Sequence, residues 1–173
     1  MTPAEAVREK LDLSVIPDDL FGENCFVIHR RDTKTALVID PGLQLPQVQA
    51  QLRQEGLTTE RILITHGHID HVAGVPSLHR DTGAPIAMHP DDLAILDWEH
   101  FAGMPFVPRG FEPFVIDDPL EHGMTVAYQD LQLRVLHTPG HTEGSVCFVV
   151  GLDCFAGDTL FQRGIGRTDL PGG

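Results

Sequence analysis

Three histidines and one aspartate lie within six consecutive positions of the chain, at His66, His68, Asp70 and His71. Imidazole is the most common protein ligand for metals that favour nitrogen, and carboxylates suit harder metals. The residues before this run, 61–65, are apolar and β-rich, which is typical of a buried strand. The pattern therefore predicts a metal site at a strand end, where α/β proteins commonly place their sites.

Two later stretches repeat this arrangement of polar side chains after an apolar run. His141 follows segment 131–136 across a tight Pro-Gly turn, and Asp158 follows segment 154–156. His137, at the end of the first run, is an alternative candidate for a supporting role behind the ligands. The six candidate ligands are His66, His68, Asp70, His71, His141 and Asp158. They exceed the needs of one tetrahedral zinc ion, which indicates room for two metal ions with a bridging carboxylate.

The composition predicts a single globular domain, residues 1–173, with 42% hydrophobic residues. The formal net charge of -13 argues against a nucleic-acid partner, which needs a basic face. No apolar run reaches the roughly 20 residues of a transmembrane helix, and residues 1–10 lack the apolar core of a signal peptide, so no membrane association is expected. Cys25, Cys147 and Cys154 are interpreted as buried free thiols, which suits a cytoplasmic location. No pattern indicates an oligomeric state.

The hydrophobic periodicity predicts alternating strands and helices, which indicates an α/β protein. Residues 1–10 are expected to form an arm or short helix, and 36–65 a β-α-β unit. Segment 98–119 is an aromatic loop that either covers the site as a lid or packs on the core. The predicted strands are 11–16, 25–29, 35–39, 61–65, 85–88, 124–128, 131–136, 145–150 and 154–156. The predicted helices are 45–54, 71–80 and 90–97.

These motifs together resemble the metallo-β-lactamase superfamily. The resemblance rests on the His-x-His-x-Asp-His run that starts at His66, on the later His141 and on Asp158. Segments 138–142 (TPGHT), 157–161 (GDTLF) and 164–169 (GIGRTD) resemble the glyoxalase II, or hydroxyacylglutathione hydrolase, branch in particular. The resemblance implies an αβ/βα sandwich of two mixed β-sheets with helices on the outer faces.

The resemblance also implies how the ligands divide between two metal ions. The first metal would be held by His66, His68 and His141, the second by Asp70 and His71, and Asp158 would bridge them. The family supplies one more histidine to the second metal from a turn near its C-terminus. No residue follows Gly173 here, so the domain is expected to be C-terminally incomplete. The implied cofactor is Zn²⁺, two per chain if that last ligand is present, with Fe²⁺ or Mn²⁺ as alternatives.

The implied activity is a thioesterase that hydrolyses a glutathione-type thioester through a metal-bound hydroxide. Asp70 and Asp158 are expected to be catalytic because they hold the metals and the hydroxide in place. Asp40, which follows the strand 35–39, is expected to orient a ligand histidine from behind. Arg163 and Arg167 are candidates for binding a carboxylate of the small-molecule substrate.

Two other functions remain open at this point. A mononuclear non-haem iron persulfide dioxygenase would use His66, His141 and Asp158 as a two-histidine, one-carboxylate triad. A non-catalytic metal-binding module is the third possibility, although structural zinc sites close with four ligands. A true β-lactamase is disfavoured, because many of those enzymes have a cysteine ligand where this chain has Asp158.

Overall fold

The computed structural model describes residues 2–173 and consists of two facing β-sheets with helices packed on the first. The first sheet is mixed: its first three strands run antiparallel, and its last four strands run parallel to one another. In spatial and chain order its strands are β1 (Leu11–Pro17), β2 (Asn24–Arg30), β3 (Thr35–Ile39), β4 (Thr58–Leu63), β5 (Ile86–Met88) and β6 (Asp118–Pro119). The parallel pairing of β3 with β4 confirms the predicted β-α-β unit.

The second sheet is antiparallel and lies across the core from the first. Its strands are β7 (Thr125–Tyr128), β8 (Leu131–His137), β9 (Val146–Val150) and β10 (Asp153–Phe155), in the order β10-β9-β8-β7. Along β8, Leu131, Leu133 and Val135 are buried while Gln132 and Arg134 are exposed. This period of two directs one face of the sheet inward. A small hairpin follows, formed by β11 (Leu160–Phe161) and β12 (Gly164–Ile165).

The helices depart from the prediction in three places: a 3-10 helix at 90–95, a break at Gly74 and an additional helix at 98–103. The helices are α1 (Pro3–Lys10), α2 (Leu45–Glu55), α3 (Ile69–Val72), α4 (Val75–Thr82) and α5 (Trp98–Gly103), with a 3-10 helix over Pro90–Ile95 in place of the α-helix predicted at 90–97. The prediction of a single helix over 71–80 is wrong, because the helical conformation is interrupted between α3 and α4, at Gly74. The amide of Gly74 donates to the carbonyl of Pro41 at 2.8 Å, and an added Cβ would lie 2.6 Å from that oxygen. Only glycine fits this close approach.

Two apolar layers hold the fold together, and strand β4 contributes to both. Ile62 packs with helices α2 and α4, whereas Leu63 packs with the second sheet. Both side chains are fully buried, which explains why this strand is a continuous apolar run and not an alternating one. The site at the end of β4 therefore rests on a strand that is buried on both faces.

The aromatic segment 98–119 packs on the core, so the lid interpretation is wrong and the packing alternative is confirmed. Phe101, Phe111 and Phe114 are buried in the helix-side core, and Trp98 packs against it. The segment also contains α5 and ends in β6, neither of which was predicted. Burying these rings outweighs the loop character that its glycines and prolines indicate.

The cysteines and the apolar character of the helices were also predicted from the sequence. Cys25 and Cys147 are buried as predicted, but Cys154 is exposed, because it faces outward from the short strand β10. None of the helices within residues 2–173 has the length and apolar character needed to cross a bilayer.

Candidate metal centre

Three strand ends meet at one edge of the sandwich and bring the predicted ligands together. The histidine run follows β4 of the first sheet, His141 follows β8 and Asp158 follows β10. The last two strands belong to the second sheet, so the site spans both sheets. This convergence is a property of the tertiary structure, since the three loops are far apart in sequence.

The first cluster consists of His66, His68 and His141. The Nε2 atom of His141 lies 3.2 Å from Nε2 of His66 and 2.9 Å from Nδ1 of His68. Three imidazole nitrogens thus converge on one point, as they do around a metal ion. Burial, and secondarily the neighbouring His71, lowers the pKa of His66 well below its usual value. Burial likewise lowers the pKa of His68, so both rings are available as neutral ligands.

The second cluster consists of His71, Asp70 and Asp158. Nε2 of His71 lies 3.4 Å from Oδ1 of Asp158 and 3.8 Å from Oδ2 of Asp70. The other oxygen of Asp158, Oδ2, lies 3.5 Å from Nε2 of His141 in the first cluster. Asp158 therefore directs one carboxylate oxygen toward each cluster, which is the placement that a bridging ligand requires.

A buried carboxylate, Asp40, orients a histidine in each cluster. Its Oδ2 accepts from Nδ1 of His71 at 3.0 Å and from the hydroxyl of Thr65 at 2.6 Å. Because that hydroxyl donates to Asp40, it accepts from Nδ1 of His66, 3.1 Å away. In its neutral form each ring therefore carries its proton on Nδ1 and directs the Nε2 lone pair into the site. This is the location behind the ligands that was predicted for Asp40.

The C-terminal segment orients the other two histidines through backbone carbonyls. The carbonyl of Arg167 accepts from Nδ1 of His141 at 2.7 Å, and that of Pro171 accepts from Nε2 of His68 at 3.2 Å. Carbonyls only accept, so Nε2 of His141 and Nδ1 of His68 remain as lone pairs facing the cluster. An added Cβ on Gly166 would lie 1.9 Å from the carbonyl oxygen of Asp158, so this approach requires glycine.

The surroundings of His71 favour a positive charge. Burial opposes protonation of this ring, but the carboxylates of Asp40, Asp158 and Glu23 together outweigh it and raise its pKa well above the usual value. Glu23 is itself buried, and burial raises its pKa to about 9 although His71 acts in the opposite direction. The pocket therefore stabilises a cation, whether a proton or a metal ion.

One unpartnered atom tests whether these residues fit a metal ion. Nε2 of His71 is buried and has no hydrogen-bond partner among residues 2–173. Buried polar atoms are normally paired, so an orphaned nitrogen aimed at Asp158 indicates a partner of another kind. Nitrogen and carboxylate donors in this proportion suit zinc or iron. The residues present therefore fit a bound metal.

The remaining sequence candidates lie away from the two clusters or have other partners. Arg167 pairs through two hydrogen bonds with Asp169, at 2.6 and 2.8 Å, while only its backbone reaches the centre. Arg163 is exposed on the turn of the β11–β12 hairpin. His137 stacks on His89 and bonds to the carbonyl of Glu143, so it does not support a ligand as the alternative interpretation supposed.

Two buried carboxylates near the centre are not singled out by the sequence: Glu23, described above, and Asp92. The sequence places Asp92 and its neighbour Asp91 in the first turn of the helix predicted at 90–97. Asp92 is instead fully buried and bonds to both histidine-bearing loops, whereas Asp91 is exposed. No sequence signal separates the two, because a pair of adjacent acids after proline is typical of any helix start.

Comparison with known proteins agrees with the fold. A family model described as the metallo-beta-lactamase superfamily matches residues 18–173. The chain belongs to this superfamily, whose members bind metal ions, zinc or iron. This assignment confirms the fold class expected from the sequence.

Two curated relatives cover nearly the whole chain. An uncharacterized protein of Mycobacterium leprae is 37% identical over 160 residues, which is 87% of this chain and 73% of that protein. The hydroxyacylglutathione hydrolase GloC of Haemophilus influenzae is 31% identical over 167 residues, which is 94% of this chain and 78% of that protein. The chain thus spans about three quarters of the length of these relatives.

Three solved structures are similar in fold. BLEG-1, a B3 metallo-beta-lactamase, has a TM-score of 0.81 at 31% identity, covering 94% of this chain and 79% of that one. ETHE1 from Myxococcus xanthus has a TM-score of 0.76 at 27% identity, covering 94% and 64%. TTHA1623, solved in a di-iron-bound form, has a TM-score of 0.75 at 32% identity, covering 92% and 78%.

Proposed function

We propose that this protein is a metal-dependent hydrolase that cleaves a glutathione-type thioester. The observation that carries the proposal is the position of Asp158, with one oxygen toward each of two ligand clusters. Similarity to GloC supports the substrate class, and the di-iron form of TTHA1623 supports a centre for two metal ions. Zinc is the proposed metal, with iron and manganese as alternatives.

The roles of the residues follow from their contacts. Bound metal ions supply an activated water and a Lewis acid for the carbonyl oxygen of the thioester. His66, His68 and His141 would hold the first ion. Asp70 and His71 would hold the second, and Asp158 would contribute to both. Asp40 keeps the ligand rings in the required tautomers. A thiolate is a good leaving group, so the site needs no strong acid beside it.

Two arginines are candidates for substrate binding, and they differ in whether their side chain already has a partner. Arg163 is exposed on the hairpin beside a 310 Å³ cleft that reaches Asp158 and His71. We propose that Arg163 contacts a carboxylate of the glutathione part. Arg167 would have to leave Asp169 to do the same. Bound metal ions would offset the net charge of -13 near the site and so permit an anionic substrate.

The test is hydrolysis of S-lactoylglutathione by zinc-loaded protein, followed through the released thiol. We expect activity that is abolished by His66→Ala and kept by His100→Ala, since His100 is exposed and lies outside the centre. Protein with two metal ions per chain and no thioesterase activity would contradict the proposal. A β-lactam should be assayed in parallel because of the similarity to BLEG-1.

The second candidate is a mononuclear iron persulfide dioxygenase, which the similarity to ETHE1 favours. It would use His66, His141 and Asp158 around one iron. Metal analysis and a measurement of oxygen uptake together distinguish the two candidate functions. One iron per chain and consumption of oxygen with glutathione persulfide would support the dioxygenase and contradict the thioesterase.

A further inference from the structure

Asp92 is a fully buried carboxylate whose hydrogen-bond donors all lie in the two histidine-bearing loops. Its Oδ2 accepts from the amide of Gly67 at 2.7 Å and from the hydroxyl of Thr142 at 2.8 Å. Its Oδ1 accepts from the amide of Gly144 at 2.6 Å. One side chain of the 3-10 helix therefore joins a loop of the first sheet to a loop of the second.

The position of each donor relates Asp92 to the first cluster. Gly67 lies between His66 and His68, and Thr142 directly follows His141. Asp92 contacts none of these three rings, but it determines how far apart their loops can move. The separation matters because the converging nitrogens lie only 2.9 to 3.2 Å apart, and their lone pairs repel one another when no cation is between them.

The contact is too tight to be incidental. An added Cβ on Gly144 would lie 2.7 Å from Oδ1 of Asp92, and one on Gly67 would lie 3.2 Å from its Cβ. The loop at Gly144 therefore approaches the carboxylate more closely than a residue with a Cβ could, and the loop at Gly67 leaves little free space beside Asp92. A buried carboxylate whose hydrogen-bond donors are all neutral is costly to keep, because desolvation of the charge is only partly offset. Its three hydrogen bonds join the two loops, and an apolar side chain at this position could form none of them.

We propose that Asp92 is a positioning residue that preassembles the first metal site by holding the two loops at ligand spacing. The proposal rests on the proposed metal centre and adds a residue to it. It is selective, because Asp40 and not Asp92 contacts His71 in the second cluster. Loss of Asp92 should therefore weaken the first metal ion far more than the second.

The decisive variant is Asp92→Asn, which keeps the shape and replaces one acceptor oxygen with a donor group facing other donors. Asp91→Asn is the matched control, since Asp91 is adjacent and exposed. Affinity of the full-length protein for Co²⁺, measured by competition with a chelator, should fall about 10- to 100-fold in Asp92→Asn and stay within about twofold in the control. The visible absorption of the cobalt form should also change, because the coordination geometry of the first site relaxes.

Three outcomes decide the proposal. A folded Asp92→Asn protein with wild-type cobalt affinity and spectrum would overturn it, as would equal weakening of both metal sites. If Asp92→Asn does not fold, Thr142→Val removes only one of the three hydrogen bonds and should weaken the first site several-fold, and an unchanged affinity would again overturn the proposal. Wild-type protein that binds two metal ions but hydrolyses no thioester would contradict the proposed function and leave this inference standing.

Discussion

Two buried carboxylates stand behind the metal centre and act on it in different ways. Asp40 touches a ligand ring directly and reaches a second ring through the hydroxyl of Thr65. Asp92 touches no ring and bonds only to the loops that carry the rings. Each accepts three hydrogen bonds, yet one determines the proton position on the ligands and the other the distance between them. A metal site needs both kinds of support.

Asp40 and Asp92 also differ in their backbone conformation. Asp40 has a φ of 51°, in the left-handed region that aspartate adopts only at a cost. This conformation turns its side chain toward Thr65 and His71 directly after β3. Asp92 lies in a regular 3-10 helix and needs no such strain, because the two loops come to it. At Asp40 the strained backbone therefore accompanies a side chain that reaches a candidate ligand ring.

The largest effect is expected from Asp158→Ala, which removes the residue shared by both clusters. We expect loss of all measurable hydrolysis and weaker binding of both metal ions, because each cluster loses an oxygen ligand. Elemental analysis after dialysis measures this directly. Asp153→Ala, at the start of strand β10 that precedes Asp158, is the control and should retain two metal ions. Full metal content in Asp158→Ala would refute the bridging role.

A smaller effect is expected from Asp40→Asn, which breaks the direct support of His71 and the indirect support of His66. The substitution also removes a negative charge from beside His71. The affinity for the second metal ion should therefore fall most, by about 10- to 100-fold. Chelator competition with each metal equivalent separates the two sites. Asp117→Asn is a suitable control, because Asp117 also accepts a hydrogen bond from a backbone amide but lies away from the centre. Preferential loss of the first metal ion would contradict the prediction that Asp40 mainly supports the second ion and Asp92 the first.

The smallest effect is expected from Thr65→Val, which severs the link to His66 and leaves Asp40 bonded to His71. The buried Nδ1 of His66 then lacks an acceptor, which costs about 1–3 kcal/mol. Urea unfolding of the metal-free protein checks this value. Thr59→Val is the control, since the buried hydroxyl of Thr59 has no partner among residues 2–173 and should not be missed. Equal stability of both variants would show that the hydroxyl does not support the ring.

The candidate ligands were predictable because their chemistry is local. Histidines and carboxylates directly after apolar strands indicate a metal site whatever surrounds them, and the structure brings all six together. The supporting role of Asp40 was expected only from the resemblance to the family, and the structure shows Asp40 in contact with His71. The break in the helix at Gly74 was not predictable, because its cause is the carbonyl of Pro41, more than 30 residues earlier.

The sequence by itself determined the ligand types, the strand-helix alternation and the family. Only the tertiary structure decided which atoms face each other: the two oxygens of Asp158, the carbonyls that orient His141 and His68, and the burial of Asp92 beside an exposed Asp91. The reason is physical. Residue chemistry and periodicity are local properties of the chain, whereas hydrogen bonds between distant loops depend on how the two sheets pack, and that packing is the sum of many small apolar contacts.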